Sequence, residues 1–504
     1  MEKKKTERSW STRCTLDRPL PKGTESVPFL SGPGLRRALS SRYIQLLILL
    51  TAAGIFLRFY NLTFNSIWLD EAATYNFSRD SFLEIWNITA NGEFNPPLFH
   101  WIEHVMLFFG NSEFTLRFIP ALLGAFTIPL FYLIGKEMYD RNAGIIAAAI
   151  LAFSPFHVLY SQDARAYTTV LFFFTIALFF FLSGLKTGKR SDWILFGIFS
   201  ALSFWTHFYV FIGVVILYAY ALYVVGKKKG WNIKGFSEWI LSAAVFLIAT
   251  LPLLAVTVHL FLVRTGSPPT YGAQGLTSLE LTFIQFSGFT LYVTIIYLVL
   301  FVMGLIQLFK VKKDTFTISV LAVLGTLAAS YVLSFVMPMI PRYLIFLLPF
   351  FFVPIAASYH IFFRITKTPK IVYILIIVIL AINIPQLYHY YTVPSKEDWR
   401  GLGMNLAGAT QPGDVVVAVP SYVRMPLEYY YSNATDGTIL VGASSLGELQ
   451  AIPDKYPGTT IIYLVTSDIS AADPSGASFN WLDQNTMYIA NQGGIFVFAS
   501  STRG

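Results

Sequence analysis

The sequence predicts an α-helical multispan membrane protein of about eleven transmembrane helices, with a small extracytoplasmic α/β domain at its carboxyl end. Three observations carry this expectation. Of 504 residues, 55% are hydrophobic and only 13% charged, too few charges to solvate a soluble protein of this size. Apolar runs long enough to cross hydrocarbon, roughly 20 residues each, recur along the first 390 residues. From 391 onward the character changes: ten acids, five bases and no apolar run of spanning length.

The predicted spans lie near 43–60, 115–135, 143–160, 166–185, 193–207, 209–226, 238–262, 284–309, 316–336, 343–363 and 370–390. Basic residues orient them, because Lys and Arg in short loops stay on the cytoplasmic side. Five loops hold fifteen basic residues, from Lys136 and Arg141 to Arg364, Lys367 and Lys370. The alternate loops hold only Arg79, Arg165, Arg264 and Arg342. The expected topology therefore has the amino terminus inside and the carboxyl terminus outside. The apolar stretch 97–110 is short and interrupted by His100, Glu103 and His104. Counted as a span it would invert the later basic loops, so it reads as a helix lying in the outer interface or re-entering.

Residues 1–42 carry ten Lys or Arg against four acids and read as a disordered, basic cytoplasmic tail attracted to anionic lipid. The first apolar run begins only near Tyr43, too late for a signal peptide. The net charge of +8 is a topology signal and implies no nucleic-acid partner. Cys14 is the sole cysteine, which excludes disulfides within the chain and thiolate metal sites. In the soluble domain, 391–504, segments 414–419, 438–441, 460–465 and 495–499 read as short buried strands, with a helix at 444–452.

The membrane domain, 43–390, has a first external loop (61–114) with seven acids and one base, Arg79. Within it Trp68-Leu69-Asp70-Glu71 sets two carboxylates just outside the bilayer beside an interfacial aromatic. Glu84 and Glu113 read as solvated surface acids. Other ionisable groups gather on the same side: Asp163 and Arg165 after the third span, His207 between the fifth and sixth, Arg342 with Tyr343 after the ninth. Taken singly, Arg342 is explained as a snorkelling span-end arginine and His207 as a turn residue. Ionisable groups at membrane depth point to function.

Asp70-Glu71, Asn95-Pro96-Pro97-Leu98, Ser112-Glu113-Phe114 with Arg117, and Gln162-Asp163-Ala164-Arg165-Ala166-Tyr167 together form a pattern. It resembles the GT-C glycosyltransferases, in the branch of protein O-mannosyltransferases (family 39) and the bacterial aminoarabinose transferase of lipid A. The resemblance covers about 43–225 and extends more loosely to Tyr343; Lys396-Glu397-Asp398-Trp399-Arg400 is similar to a segment just past the last span in relatives. It implies a polyprenyl-phosphate sugar donor, a glycan, lipid or protein acceptor presented outside, and inversion at the anomeric carbon.

On that resemblance Asp70 matches the catalytic acid and serves as general base, with Glu71 and Asp163 beside it. Arg165, Arg342 and Tyr343 would bind the donor phosphate, since guanidinium forks suit phosphate oxygens. Asn95, His100, Tyr167 and His207 would contact substrate. Asp163 would orient Arg165, bind a hydroxyl or help hold a divalent ion, for which Asp70, Glu71, Asp163, Glu93 and His207 are available ligands with no fixed geometry. The aminoarabinose enzyme carries a lysine where this chain reads Asn95-Pro96-Pro97, and the spaced Asp-x-Asp of oligosaccharyltransferases is missing from the first loop. The rival reading is a transporter or flippase, which places ionisable groups near the bilayer midplane on broken helices. Four sequons, at Asn61, Asn76, Asn87 and Asn433, fall outside in this topology.

Overall fold

The computed structural model describes residues 41–501 except 94, 267, 268 and 432–436. The basic tail up to residue 40, with Cys14, and the sequon at Asn433 lie outside the described residues. From Leu47 onward the chain forms one compact unit.

The membrane part begins with α1 (Arg42–Phe59), followed by three short helices, α2 (Leu69–Ser78), α3 (Phe82–Ala90) and α4 (Pro97–Met106). Helix α4 is the stretch expected in the interface. Its ten residues rise about 15 Å, half the hydrocarbon thickness. It buries Phe99, His100 and Glu103 while Phe108 and Phe109, just beyond it, stand exposed.

Next come α5 (Glu113–Met138), the bent pair α6 (Arg141–Ala152) and α7 (Pro155–Ser161), α8 (Tyr167–Thr187), α9 (Arg190–Thr206), α10 (Val210–Lys229) and α11 (Ser237–Arg264). After a short α12 (Gly275–Phe286) come α13 (Leu291–Val311), α14 (Lys313–Leu333), α15 (Leu348–Ala357), α16 (Tyr359–Thr366) and α17 (Ile371–Thr392).

Among the described residues nine helical segments are long and apolar enough to cross a membrane, ten if the bent pair α6–α7 counts as one. The expected eleven is therefore not reproduced by length and composition alone. The third predicted span is bent by 58° between α6 and α7, where Ser154-Pro155 restarts the helix. The fifth, α9, has 17 residues, about 26 Å. The bend leaves carbonyls at the end of α6 without helical partners. Arg58 of α1 satisfies two of them, donating to Leu151 O at 3.0 Å and Ala152 O at 3.2 Å, and also reaches His157 Nδ1 at 2.8 Å.

The carboxyl-terminal part is a five-stranded sheet of order β2-β1-β3-β5-β4, formed by β1 (Val415–Val419), β2 (Ile439–Gly442), β3 (Thr460–Val465), β4 (Met487–Gln492) and β5 (Ile495–Ser501). Strand β1 runs parallel to β2 and β3, and β5 antiparallel to β3 and β4. All five residues of β1 are buried, because helices cover both faces. Val415, Val417 and Val419 pack with α20 (Leu446–Lys455) and α22 (Ala477–Asn485) through Leu449, Ile452 and Leu482. Val416 and Ala418 pack with α18 (Trp399–Ala409) and α19 (Arg424–Tyr431) through Trp399, Leu402 and Leu427. One further short helix, α21 (Ile469–Ala472), follows β3.

This domain sits directly on the start of α2 and α5. Met425, Tyr429 and Tyr430 pack on a cluster of Ile67, Ala72, Leu116 and Ala164. Arg400 pairs with Glu113 through Nε at 3.0 Å, and the Tyr430 hydroxyl accepts from Ile67 N at 2.7 Å and donates to Glu113. Glu113 is thus a buried interdomain residue, not the solvated acid its sequence context predicts.

Candidate active site

Helix α2 begins at Leu69, so its first turn presents Asp70 and Glu71 at successive positions about 100° apart around the axis. Their environments differ completely. Glu71 is fully buried. It receives Arg117 through Nε and Nη2, each at 2.7 Å, Ala164 N at 2.8 Å and Lys396 Nζ at 2.9 Å. Burial alone would raise its carboxyl, but Arg117 and then Lys396 outweigh that and hold it well below the usual carboxylate range.

Arg117 spends all five N–H groups: two on Glu71, two on Leu62 O and Asn65 O, and one on Ser66 O. It fixes the loop that enters α2 and keeps no donor for a ligand.

Asp70 keeps 25% of its side chain exposed. Its Oδ2 accepts from Arg342 Nη2 at 3.1 Å, and its backbone carbonyl accepts from Arg165 Nη1 at 2.9 Å. Arg165 Nη1 also donates to Thr74 Oγ1 at 3.1 Å. Both partners of Arg165 are neutral, and its Nε and Nη2 make no hydrogen bond among the described residues. Arg342 lies over the rings of Trp68, Tyr167 and Tyr343 at 5.5, 5.5 and 5.9 Å and donates from Nε to the Tyr167 hydroxyl at 2.9 Å.

The Asp163 carboxylate accepts from Trp68 Nε1 at 2.9 Å and Lys396 Nζ at 3.0 Å. Burial pushes this carboxyl up, with Lys396 opposing. It does not hold Arg165, which is positioned by Asp70 O and Thr74.

Asn95 and His207 line a cavity of about 60 Å³ with Tyr343, Tyr209 and, from α11, Leu260 and Phe261. His207, Tyr209 and Tyr343 form a ring cluster with centroids 5.0–5.8 Å apart. His100 is placed differently: it is buried on α4 against Phe77, and both ring nitrogens are unpartnered. Burial, and next the charge of Arg165, push it down to about 3, so the ring stays neutral.

The structure thus brings Asp70, Glu71, Asp163, Arg165, Tyr167, Arg342 and Tyr343 into one network, with Asn95 and His207 along the adjoining cavity. Two residues enter that were not singled out as site residues. Lys396 arrives from beyond the last span to bridge Glu71 and Asp163, and the motif Lys396-Glu397-Asp398-Trp399-Arg400 was its signal. Glu103, buried on α4 one turn after His100, has both carboxylate oxygens unpartnered, and only its oddity in an apolar helix marked it. A divalent ion finds no prepared seat. Among the described residues no three of His, Cys, Asp and Glu come together as metal ligands, and Asp70, Glu71 and Asp163 already face cations.

Comparison with known proteins agrees with this architecture. The family described as dolichyl-phosphate-mannose-protein mannosyltransferase matches residues 95–256. ArnT from Cupriavidus metallidurans, solved bound to undecaprenyl phosphate, superposes with a TM-score of 0.58 at 14% identity, over 91% of this chain and 98% of that one. The chain has the GT-C glycosyltransferase fold. Relatives by sequence include the putative mannosyltransferase YkcB of Bacillus subtilis, 26% identical over 164 residues, 30% of this chain and 22% of that protein. An uncharacterized protein of Aquifex aeolicus is 32% identical over 133 residues, 25% of this chain and 27% of that protein. The alignments thus span about a quarter of these relatives' length.

Proposed function

We propose that this chain is an inverting membrane glycosyltransferase, using a polyprenyl-phosphate sugar donor and an acceptor on the extracytoplasmic face, with Asp70 as general base. One observation carries the reading: Asp70 is the partly open carboxylate of the network, and it sits between two arginines, one of which, Arg165, has donors to spare. Inverting transfer needs a carboxylate on one face of the sugar to take the acceptor proton while the bond from the anomeric carbon to the phosphate oxygen breaks on the other. Charge then collects on the departing phosphate, and fixed guanidinium groups stabilise it. Arg165 and Arg342 supply them, with Tyr167 and the Tyr343 ring orienting Arg342.

Glu71 and Asp163 act through position. Their charges are matched by Arg117 and Lys396, so they hold the first turn of α2 and the segment before α8 where Asp70 and Arg165 meet. The apolar cavity at Tyr343 and α11 suits the first isoprenoid units. ArnT, which shares the fold, was solved with undecaprenyl phosphate.

Transfer from a panel of radiolabelled polyprenyl-phosphate sugars by purified wild type and Asp70→Asn tests this. The variant is expected to bind donor and to lose transfer by about 10²–10⁴-fold, the usual worth of a positioned base. Unchanged transfer in the variant rejects Asp70 as base, and no donor use by wild type moves the weight to a transporter.

A further inference from the structure

Helix α8 begins in the Asp70 network, where its first residue, Tyr167, accepts from Arg342. Its 21 residues rise about 31 Å, close to the roughly 30 Å thickness of the hydrocarbon, so its last turn lies at the opposite membrane face. There the ends of α8 and α10 and the starts of α9 and α11 enclose another cavity, of about 250 Å³. The basic loops predict this face to be the cytoplasmic one.

The walls of this cavity are fixed and the charges in them are unmatched. Trp193 is buried against α8 at Gly184, where a Cβ would lie 3.2 Å from its ring. Trp239 donates from Nε1 to Tyr218 O at 3.0 Å. Both rings line the cavity together with Lys228, Lys229 and Glu238. Lys228 Nζ reaches only Leu185 O, at the long distance of 3.5 Å, and Lys229 Nζ has no partner among the described residues. Glu238 Oε2 is buried without a hydrogen-bond partner. Among the described residues neither lysine forms an ion pair with Glu238, although all three line one space. A buried carboxylate oxygen without a donor is costly. Two cations and an acid that share a cavity without touching leave room for a ligand that carries both signs of charge.

The surroundings identify where such a ligand comes from. In the loop after α10, Trp231 and Ile233 are 70% and 81% exposed, directly after the run Lys227-Lys228-Lys229. Exposed aromatic and aliphatic side chains beside lysines belong at the level of lipid headgroups, and basic pockets between spans on the cytoplasmic side take such headgroups. The volume falls just below the roughly 300–1,000 Å³ of pockets for drug-sized ligands, so it holds a headgroup and leaves the acyl chains outside along the helices. A purely anionic headgroup would set its charge against Glu238, whereas a phosphate joined to an ammonium group matches both walls.

We propose that this cavity binds the headgroup of an aminophospholipid of the phosphatidylethanolamine kind. The phosphate lies on Lys228 and Lys229, and the primary ammonium donates to Glu238 beside the Trp193 and Trp239 rings, whose faces attract cations. The lipid is a resident ligand that ties the ends of α8 and α10 to the inner leaflet, across the membrane from Asp70, and it is not consumed.

Native mass spectrometry of the full-length protein in detergent reads the site with dioctanoyl phosphatidylethanolamine, phosphatidylglycerol and phosphatidylcholine of the same chain length, and free O-phosphoethanolamine. Wild type is expected to retain phosphatidylethanolamine several-fold more strongly than the other two lipids, because phosphatidylcholine has no N–H donor for Glu238 and phosphatidylglycerol has no cation. Lys228→Ala together with Lys229→Ala, both exposed positions, is expected to weaken that retention several-fold. Glu238→Gln is expected to abolish the preference for phosphatidylethanolamine over phosphatidylglycerol. Equal retention of phosphatidylethanolamine by wild type and the double-lysine variant, or no preference among the three lipids in wild type, overturns the site. Retention of free O-phosphoethanolamine as strong as that of the lipid overturns the assignment to lipid and makes the ligand a soluble phosphate ester.

Discussion

At the scale of single residues, charge pairing separates the matched acids, Glu71 and Asp163, from Asp70, the acid proposed to act as base. Removing one partner of a buried pair leaves an uncompensated charge and costs about 3–5 kcal/mol. Arg117→Met is expected to lower stability by that order and to depress the thermal midpoint in detergent, because Glu71 and three loop carbonyls lose their donor together. Asp70→Asn should leave the midpoint nearly unchanged. Glu103 makes a different prediction. Burial, and then the charge of Glu71, raise its carboxyl well above the ordinary 4.5. An acid with a raised folded-state value takes up a proton on folding, so its folded form loses stability as pH rises from about 4.5 toward that value. Glu103→Gln removes the ionisation. It is expected to match wild type at pH 4.5 and to exceed it at pH 8, a divergence that thermal unfolding at the two pH values reads directly. Parallel curves would mean Glu103 is ionised or solvated in the folded protein.

At the scale of elements, what the sequence declares locally was readable and what depends on distant pairing was not. The all-apolar run 415–419 flanked by turn residues announces a strand covered on both faces, and β1, β2, β3 and β5 lie within a residue or two of the expected segments. Strand β4 was missed because Met487–Gln492 is exposed nearly throughout and has a register shift at Tyr488/Ala490. It is a strand only because β5 pairs with it. Glu113 was misread for a related reason: its partner Arg400 lies 287 positions away. Lys396 is 325 positions from Glu71, and no spacing rule reaches that far. The α19–α2 contact gives the prediction at this scale. Tyr430→Phe strips the partner from Ile67 N–H and a donor from Glu113, and a buried unsatisfied group costs about 1–3 kcal/mol. A drop of that size in the unfolding free energy is expected, and no change would mean the soluble domain contributes nothing to the stability of the loop entering α2.

At the scale of the molecule, the proposed chemistry requires that α2, the Asp70–Arg342 pair and the sheet domain all lie on the extracytoplasmic side. The sequence argues this from fifteen basic residues in five alternate loops, a rule that acts on insertion and leaves no trace in side-chain contacts. That is why side chains can define the site while the charge pattern defines its sidedness. The test uses exposed positions on opposite faces. In a Cys14→Ser background, Glu84→Cys on α3 and Lys228→Cys at the end of α10 each provide a single thiol at an exposed residue. A membrane-impermeant maleimide added to intact cells is expected to label Glu84→Cys and to spare Lys228→Cys until the membrane is opened. Labelling in the opposite order would place Asp70 in the cytoplasm, beside nucleotide-linked sugars rather than externally displayed polyprenyl phosphates. The donor class would then have to be reassigned even with the pairings among Asp70, Arg165 and Arg342 intact, because geometry fixes what the site can do and topology fixes which substrates reach it.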